Sequence, residues 1–296
     1  MTRPQTRHLL LLVLIGIVTV VPQARTGDDK LAPADLVAKH LESIGSAEAR
    51  AKMQGTRIKG NATVTVKLCG EGQVEGQVLM GSKGDVNLIN LKFDTPGYPF
   101  ESLVYDGKKF TASQFKPGSR TCLAQFFLTN DVLFKEGLVG GALSESWPLL
   151  NVTAKNPKLE YSGLKKIGNK ELHAIKYSPR KGSDVKIMLY FEPDTFRHVR
   201  TDYSRVIYAT EQRRIAGGGA SLPPEQRQQA TPARIDAYEE FADFKEESGL
   251  TLPHTYKLHL SIQSEVRPAV IDWTFNLTDF VFNAPPDLTE FVDHRP

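Results

Sequence analysis

Hydrophobic and polar positions alternate with a period of two over most of this chain. In the run 58–68, Val64 and Val66 lie on the apolar phase, and threonine and lysine fill the positions between. In the run 252–263, Tyr256, Leu258 and Leu260 alternate with polar neighbours in the same way. A period of two is typical of strands with one buried face. The pattern therefore predicts an antiparallel sheet with an apolar face.

Shorter runs of the same kind predict the remaining strands. Asp106-Gly107 is a strong hairpin signal between two of them. In the run 86–93 the apolar residues shift from one phase to the other, which predicts a β-bulge. The predicted strands are 74–80, 86–93, 100–105, 109–115, 158–161, 171–177, 185–191, 196–203, 205–209, 235–244 and 270–282.

Two segments depart from the period of two. Residues 33–44 carry Leu36, Val37 and Leu41 on one helical face, with Pro33 in the first turn, and predict a helix followed by a short second one at 47–53. Residues 126–150 form an apolar helical insert between the two groups of strands. An apolar sheet face needs a cover, so we expect this insert to pack on it.

The insert has two interpretations. Its apolar residues are too many for one narrow helical stripe, and three glycines between residues 137 and 141 predict a break. Either two short core helices plug the sheet, or the insert is a hinged lid over a cavity that binds an acyl chain. The lid interpretation predicts a cavity lined by strand residues Val64, Val66, Tyr256, Leu258 and Leu260 and by insert residues Phe134, Leu138 and Trp147.

The first residues predict export. Arg3 and Arg7 precede a thirteen-residue apolar run, 9–21, which fits a signal peptide and falls short of the roughly 20 residues that span a bilayer. We expect residues 1–24 to be a signal peptide and 25–296 a single domain. The cleavage site is poor because Pro22 lies three residues before the cut after Ala24, so a retained anchor is the alternative.

Charge and motifs exclude several functions. Residues 1–24 hold two of the 37 basic residues and no acid, which leaves 37 − 2 = 35 basic against 34 acidic residues and predicts no nucleic-acid partner. Neither a phosphate-binding loop, a nucleophile elbow nor metal-ligand spacing is present, so we expect no enzyme, cofactor or metal. Residues 211–234 are rich in Gly, Pro, Gln and Arg and predict a mobile surface loop.

Cysteine usage leaves a second pair of alternatives. The chain has two cysteines, Cys69 and Cys122. In an oxidising, exported compartment they are candidates for one disulfide. The other interpretation is two separate buried thiols, because sequence spacing does not show whether their Cα atoms approach closely enough.

The order of these segments resembles a known family. Helix, strand meander, apolar helical insert and second meander resemble the LolA/LolB-like proteins that sort outer-membrane lipoproteins, in the branch found in environmental bacteria. The segments that carry the resemblance are 36–60 (LVAKHLESIGSAEARAKMQGTRIKG), 133–150 (LFKEGLVGGALSESWPLL), 190–203 (YFEPDTFRHVRTDY), 241–258 (FADFKEESGLTLPHTYKL) and 280–291 (FVFNAPPDLTEF).

The resemblance implies a fold and a function. The fold is an incomplete antiparallel β-barrel (half-barrel) of about eleven strands covered by helices. The function is that of a periplasmic carrier for lipids or lipoproteins, with acyl chains in its apolar interior and a membrane-bound donor or acceptor protein as partner. The alternative is an envelope sensor or scaffold of the same fold, similar to regulators of anti-sigma factors. That protein would keep a stable partner and an N-terminal anchor in the inner membrane.

Two features depart from the family. Carriers of this kind hold the lid with a single buried arginine, and this sequence offers four strand-borne candidates without distinguishing them: Arg57, Arg197, Arg200 and Arg205. The segment 211–234 has no clear counterpart in the family. Because one fold hosts many functions, the resemblance supports the predicted fold more strongly than the predicted activity.

Overall fold

The alternating runs form twelve antiparallel strands. They are β1 (Thr56–Leu68), β2 (Gly72–Lys83), β3 (Val86–Phe93), β4 (Phe100–Tyr105), β5 (Phe110–Ala112), β6 (Lys158–Ile167), β7 (Lys170–Ser178), β8 (Lys186–Phe191), β9 (His198–Ile207), β10 (Ala233–Glu247), β11 (Leu250–Gln263) and β12 (Ala269–Phe282). All belong to one sheet, in the order β5-β4-β3-β2-β1-β12-β11-β10-β9-β8-β7-β6.

The protein is described by a computed structural model that covers residues 31–68, 72–114, 118–207, 232–264 and 268–287. These residues belong to one unit, Leu31–Pro296. The predicted signal peptide and most of the predicted loop 211–234 lie outside the described residues. The last part of that predicted loop is strand instead, because β10 already begins at Ala233 and Arg234 pairs with Gln263.

The sheet is open, since its two ends, β5 and β6, do not pair with each other. The predicted fold class, a mainly β, incomplete barrel covered by helices, is thus confirmed, with twelve strands rather than about eleven. In the middle of the sheet, Val64 lies opposite Trp273, which lies opposite Leu258 on its other side. These three residues are buried on the same face. The predicted apolar phases of β1 and β11 therefore meet on one side of the sheet.

One predicted irregularity is wrong. Strand β3 was expected to contain a bulge, but it pairs without a register shift with β2 and β4. Both of its faces are buried instead. Close to Leu88, Pro286 from the C-terminal segment packs against Gly81, where an added Cβ would lie 2.7 Å from the proline Cβ. The chain beyond β12 thus returns to cover β2 where it runs beside β3.

Several boundaries also differ from the prediction. Two short strands were expected at 196–203 and 205–209, but the described residues from His198 to Ile207 are one strand, β9, which pairs continuously with β10 from Arg200 onwards. Strand β5 ends at Ala112, earlier than expected. The turn between β4 and β5 is confirmed, because Asp106 Oδ1 accepts the backbone N–H groups of Lys108 and Lys109 at 2.8 and 2.7 Å.

Helices lie at the two places that the sequence predicts. Helix α1 (Pro33–Ile44) has the predicted bounds, and α2 (Ala47–Lys52) is capped by the preceding Ser46, whose hydroxyl accepts the N–H of Ala49. The insert is longer than the predicted 126–150 and runs from residue 122 to residue 155. It contains α3 (Cys122–Thr129), α4 (Val132–Lys135), two 3-10 turns (Gly141–Leu143 and Pro148–Asn151) and α5 (Val152–Lys155).

Helix α1 and the insert cover the apolar face of the sheet. Leu36 and Ile44 of α1, Phe127 of α3 and Trp147 all belong to the same buried cluster as the strand residues. None of the helices among the described residues is long and apolar enough to cross a membrane. The insert is therefore part of the cover of this sheet, and its contacts define the candidate site.

Candidate functional site

Part of the insert is a loop closed on itself. Gly137 has φ +76°, and a Cβ at this position would lie 2.0 Å from the carbonyl oxygen of Ser146. Leu138 donates its N–H to Leu133 O at 2.9 Å and fixes the entry of the chain into the loop. The ten residues 137–146 thus begin and end at one point, as in compact Ω-loops. We call them the insert loop.

The tip of the insert loop reaches across the sheet. Gly140 and Gly141 both have positive φ, +85° and +52°. A Cβ on Gly140 would lie 2.9 Å from Met80 Cε of β2, and one on Gly141 would lie 3.0 Å from His198 Nδ1 of β9 and Phe241 Cζ of β10. The tip therefore contacts strands from both halves of the sheet, and only glycine fits there without displacing a neighbour.

A buried carboxyl group holds this tip. Gly140 donates its backbone N–H to Glu239 Oε1 at 2.8 Å. Tyr256 donates its hydroxyl to the same oxygen at 2.6 Å, and Tyr203 donates to Oε2 at 2.6 Å. Burial raises the pKa of Glu239 to about 7, although the three hydrogen bonds oppose that rise. The side chain is therefore satisfied by donors from β9, from β11 and from the insert loop.

A second buried carboxyl group holds the beginning of the insert. Glu101 of β4 accepts hydrogen bonds from the hydroxyls of Tyr98 and Thr121 and, at 3.1 Å, from the N–H of Ala124 in the first turn of α3. Burial raises the pKa of Glu101 to about 7 as well. Two acidic side chains of the sheet thus bind the insert at two separate points, near residues 124 and 140.

Uncharged side chains of the sheet complete the attachment. Asn87 Nδ2 donates to Phe134 O at 3.0 Å and to Ser146 Oγ at 3.2 Å, and so binds both sides of the insert loop where it closes. Ser82 Oγ accepts the N–H of Glu145 at 2.7 Å. These are single hydrogen bonds, each of which contributes about 1 kcal/mol net. The insert is therefore attached to the sheet by separate polar contacts near its start, at the tip of the insert loop and where that loop closes, and by apolar packing between them.

An aromatic cluster joins α1 to the end of the insert loop. Trp147 Nε1 donates to His40 Nε2 at 3.2 Å, and the indole stacks on His198 at 4.8 Å between ring centroids. His40 Nδ1 lies 3.2 Å from Phe196 O, which can only accept, so this nitrogen carries the proton. Burial lowers the pKa of His40 to about 4 and that of His198 well below its usual range. Both imidazoles are neutral near pH 7.

A small pocket lies where the insert loop meets α1 and β9 to β11. Its volume is about 10 Å³, and His40, Ser43, Ala142, His198 and Phe241 are among the residues that line it. A space of this size holds about one water molecule. In this conformation the pocket itself has no room for an acyl chain.

The structure brings most of the predicted cavity residues together. Val66, near the end of β1, is half-buried. The other seven are buried in one cluster, and they are Val64, Phe134, Leu138, Trp147, Tyr256, Leu258 and Leu260. The predicted apolar phase and the predicted insert residues thus share one interior, and the opening of that interior into a ligand cavity stays a prediction.

Sequence reasoning missed the polar residues that attach the insert. Glu239 follows Ile235 and Ala237 on the inward phase of β10 and precedes Phe241 on the same phase. A glutamate among the inward-facing, apolar positions of a strand indicates a buried polar contact, because a buried carboxyl group needs hydrogen-bond partners. His40, one turn after Leu36 and Val37, is a second signal of the same kind.

Among the four arginine candidates, Arg205 contacts the insert. Its guanidinium donates to Asn130 Oδ1 at 2.9 Å, just beyond α3. Arg200 instead forms ion pairs with Asp202 and Glu240, and Arg197 lies over the ring of Phe244. Arg205 is thus a candidate with a hydrogen bond to the insert, and a lid-holding role for any of the four arginines stays a prediction.

The predicted disulfide stays a prediction. Cys122 is half-buried at the first position of α3, next to Thr121, which binds Glu101. Cys69 follows directly on β1 and lies outside the described residues. No group of three or more His, Cys, Asp or Glu residues in the described part of the chain is placed to hold a metal ion.

Comparisons with known proteins give similarities of fold. No family model matches the sequence, and no curated protein matches it. A DUF1329 family protein from Desulfovibrio piger is 10% identical, with a TM-score of 0.43, over 90% of this chain and 98% of that one. A LolA superfamily protein from Nitrosomonas europaea is 9% identical, with a TM-score of 0.42, over 88% of this chain and 97% of that one.

A third solved structure is an outer membrane lipoprotein-sorting protein domain from Vibrio parahaemolyticus. It is 11% identical, with a TM-score of 0.38, over 86% of this chain and 97% of that one. The family that the sequence resembles is thus among the solved structures to which this chain is similar. With TM-scores below 0.5, these similarities carry no argument about function. The case for a function rests on the side chains of this chain.

Proposed function

We propose that this protein is an exported, periplasmic carrier that binds the acyl chains of lipids or lipoproteins between its open sheet and the insert. In this proposal the insert loop is a lid, the eight predicted cavity residues contact the acyl chain, and the protein catalyses no reaction. A membrane-bound protein delivers the cargo or receives it.

The observation that carries the proposal is how the apolar face is covered. The longest helix of the insert, α3, has eight residues, and α4 and α5 have four each. Helices shorter than about 12–15 residues are marginal on their own in water. The insert therefore owes its conformation to the sheet beneath it. An apolar ligand that binds the same face competes directly with the insert for those contacts.

The energetics require a long apolar ligand. Each buried CH₂ group contributes about 0.8 kcal/mol. Association costs on the order of 4–15 kcal/mol in lost translational and rotational freedom. Micromolar binding corresponds to about 8 kcal/mol, so the chain must contribute at least about 12 kcal/mol before the association cost is subtracted, which takes about 15 CH₂ groups or more. This range fits lipid acyl chains, and it excludes small apolar metabolites.

Native mass spectrometry of protein purified from its host cells tests the proposal directly. We expect a co-purified lipid, and delipidated protein should bind a neutral fluorescent monoacylglycerol at micromolar concentration. Because Trp147 lies between His40 and His198 beside the insert loop, binding should also change its fluorescence. If no lipid co-purifies and the probe neither binds nor alters the tryptophan signal, side chains simply fill the interior and the carrier proposal fails.

Two adjacent residues of β11 provide a matched pair of variants. Leu258 is buried on the apolar face, and Lys257 is exposed on the other. Leu258→Glu should abolish binding of the monoacylglycerol, and Lys257→Glu should leave it unchanged. Thermal unfolding of both variants separates lost binding from lost folding. Binding that survives Leu258→Glu in a folded protein contradicts the proposed location.

The alternative function, an envelope sensor or scaffold, has a distinct outcome in the same experiment. A sensor retains a stable protein partner through purification, and a carrier exchanges its cargo. Copurification of a stoichiometric protein partner without lipid therefore favours the sensor, with the N-terminal segment retained as an inner-membrane anchor.

A further inference from the structure

The interior of this protein has an acidic character. Among the buried residues that the structure describes, Glu101 and Glu239 are the charged side chains, and none is lysine or arginine. The two buried histidines, His40 and His198, are neutral near pH 7 because burial lowers their pKa values. A ligand that enters this interior therefore meets carboxyl groups.

Glu239 is the carboxyl group at the tip of the insert loop. Tyr203 lies opposite Ala237, two residues before Glu239, and Tyr256 lies opposite Phe241, two residues after it. The two hydroxyls thus approach the carboxyl group diagonally from both neighbouring strands and fix its direction. Gly140 supplies the third donor from the insert loop. Two of the three donors belong to the sheet, and one belongs to the proposed lid.

Lid opening removes that third donor. When the insert loop moves aside, Glu239 keeps the hydroxyls of Tyr203 and Tyr256 but loses the N–H of Gly140. Each carboxyl oxygen then still accepts one tyrosine hydroxyl, but Oε1 has a free acceptor position, because a carboxylate oxygen can accept two hydrogen bonds. The ligand that best fills the opened interior is one that returns an N–H donor to Glu239 Oε1.

We propose that Glu239 is the head-group site of the carrier, where an ammonium or amide N–H on an acyl chain takes the position of the Gly140 N–H. This inference rests on the proposed function and adds the chemical class of the ligand. The chain then lies along the apolar face formed by Met80, Phe241 and Tyr256, which the insert loop now covers. Carboxylate and phosphate head groups are disfavoured because they bring a second negative charge to a site without a cation.

The ionisation of Glu239 supports this assignment. Burial raises the pKa of its carboxyl group to about 7, so the proton is lost readily near neutral pH when a cation approaches. Hydrogen bonds between charged partners are about twice as strong as those between neutral ones. An ammonium head group should therefore bind more tightly than an amide, and both should bind more tightly than an ester without a donor.

Displacement of the bound fluorescent monoacylglycerol tests the inference with four ligands of equal chain length. They are dodecylamine, dodecanamide, methyl dodecanoate and dodecanoate, all below their micellar concentrations at neutral pH. We expect dodecylamine to bind at least about tenfold more tightly than methyl dodecanoate, because the charge-assisted hydrogen bond is added to the same chain. Dodecanamide should fall between them, and dodecanoate should bind most weakly.

Glu239→Gln and Glu240→Gln are the matched variants. Both remove one carboxyl group from β10, but Glu239 faces the insert loop and Glu240 forms an ion pair with Arg200 elsewhere. The near-isosteric change at residue 239 should abolish the preference for the amine and leave the binding of methyl dodecanoate within about threefold, since chain burial is unchanged. The change at residue 240 should alter neither.

The outcomes distinguish the two proposals. If all four ligands bind equally in the wild type, or if the amine preference survives in a folded Glu239→Gln protein, the head-group site is wrong and the carrier proposal stands. If none of the four displaces the probe and the probe itself does not bind, the carrier proposal fails and the head-group site fails with it.

Discussion

The carbonyl oxygen of Ser146 lies 2.0 Å from the position that a Cβ on Gly137 would take. These two residues are the ends of the insert loop, and their contact closes it. The two ends of the insert loop are therefore held together in the folded protein, and Asn87 of β3, which donates to Phe134 O and to Ser146 Oγ, fixes the same point to the sheet.

Gly137→Ala should destabilise the protein strongly. The residue has φ +76° and its new methyl group would overlap backbone atoms of Ser146, which cannot turn away as a side chain can. Gly163→Ala is the matched control, because Gly163 has φ +79° with open space around it. The control should cost about 1 kcal/mol from the backbone conformation alone, and Gly137→Ala more than about 2 kcal/mol. Urea unfolding measures both, and equal costs would show that the loop ends can separate.

Glu239→Gln should gain stability relative to the wild type as the pH rises. Burial raises the pKa of Glu239 from 4.5 to about 7 in the folded protein. The folded state therefore holds the proton more tightly, and the stability that this proton provides is lost between about pH 4.5 and pH 7. Glutamine resembles the protonated form and does not titrate. At about 1.4 kcal/mol per pKa unit, the free energy of unfolding of the variant minus that of the wild type should rise by roughly 3 kcal/mol over this pH range.

Urea unfolding of both proteins at pH 5 and pH 8 measures this change. The variant-minus-wild-type difference cancels the opposite trend of His40 and His198, whose lowered pKa values make stability fall towards acid. Tyr203 and Tyr256, the titratable groups that contact Glu239, stay protonated over this range because burial raises their pKa values. A difference that does not vary with pH would mean that Glu239 titrates normally in the folded protein.

The positions of several helices, strands and turns were predictable because they follow from residues that are close together in the sequence. Helix α1, strand β3 and the turn at Asp106 have the bounds or residues that the sequence predicts. Each depends on residues close together in the chain: a proline at a first helical turn, an apolar run, an aspartate before a glycine. Such signals need no knowledge of what lies across the sheet.

The attachment of the insert was not predictable in the same way. Glu239 and Gly140 are 99 residues apart, and Asn87 and Ser146 are 59 apart. No local rule pairs residues at these separations, although the buried acid on an apolar phase shows that some partner is required. Two features of the strands were unpredictable for the same reason. Strand β9 is continuous because it pairs with β10, and both faces of β3 are buried in a region where the C-terminal segment also packs on the sheet.

The hydrogen bond between Trp147 and His40 should appear as a coupling energy. His40→Leu leaves the indole N–H without its acceptor in the core, and Trp147→Phe leaves His40 Nε2 without its donor. Each single change adds the cost of an unsatisfied buried group, about 1–3 kcal/mol, to the cost of altered packing. The double variant lacks both partners and should lose about 1 kcal/mol less than the sum of the single losses. Strictly additive losses would show that the 3.2 Å contact contributes nothing to stability.

Hydrogen exchange should distinguish a lid from a plug. If the insert loop opens while the sheet stays folded, the amides of Leu138 and Gly140 exchange through a local opening. We expect their opening free energies to lie at least about 2 kcal/mol below those of amides in β11 and β12, and to depend little on urea because local opening exposes little surface. Glu239→Gln should lower the value for Gly140 at pH 5 only slightly, because glutamine still offers the Oε1 acceptor. If both loop amides instead exchange with the same free energy and urea dependence as the central strands, the insert unfolds only with the whole domain. The two short helices then plug the sheet, and an acyl chain has no route into the interior.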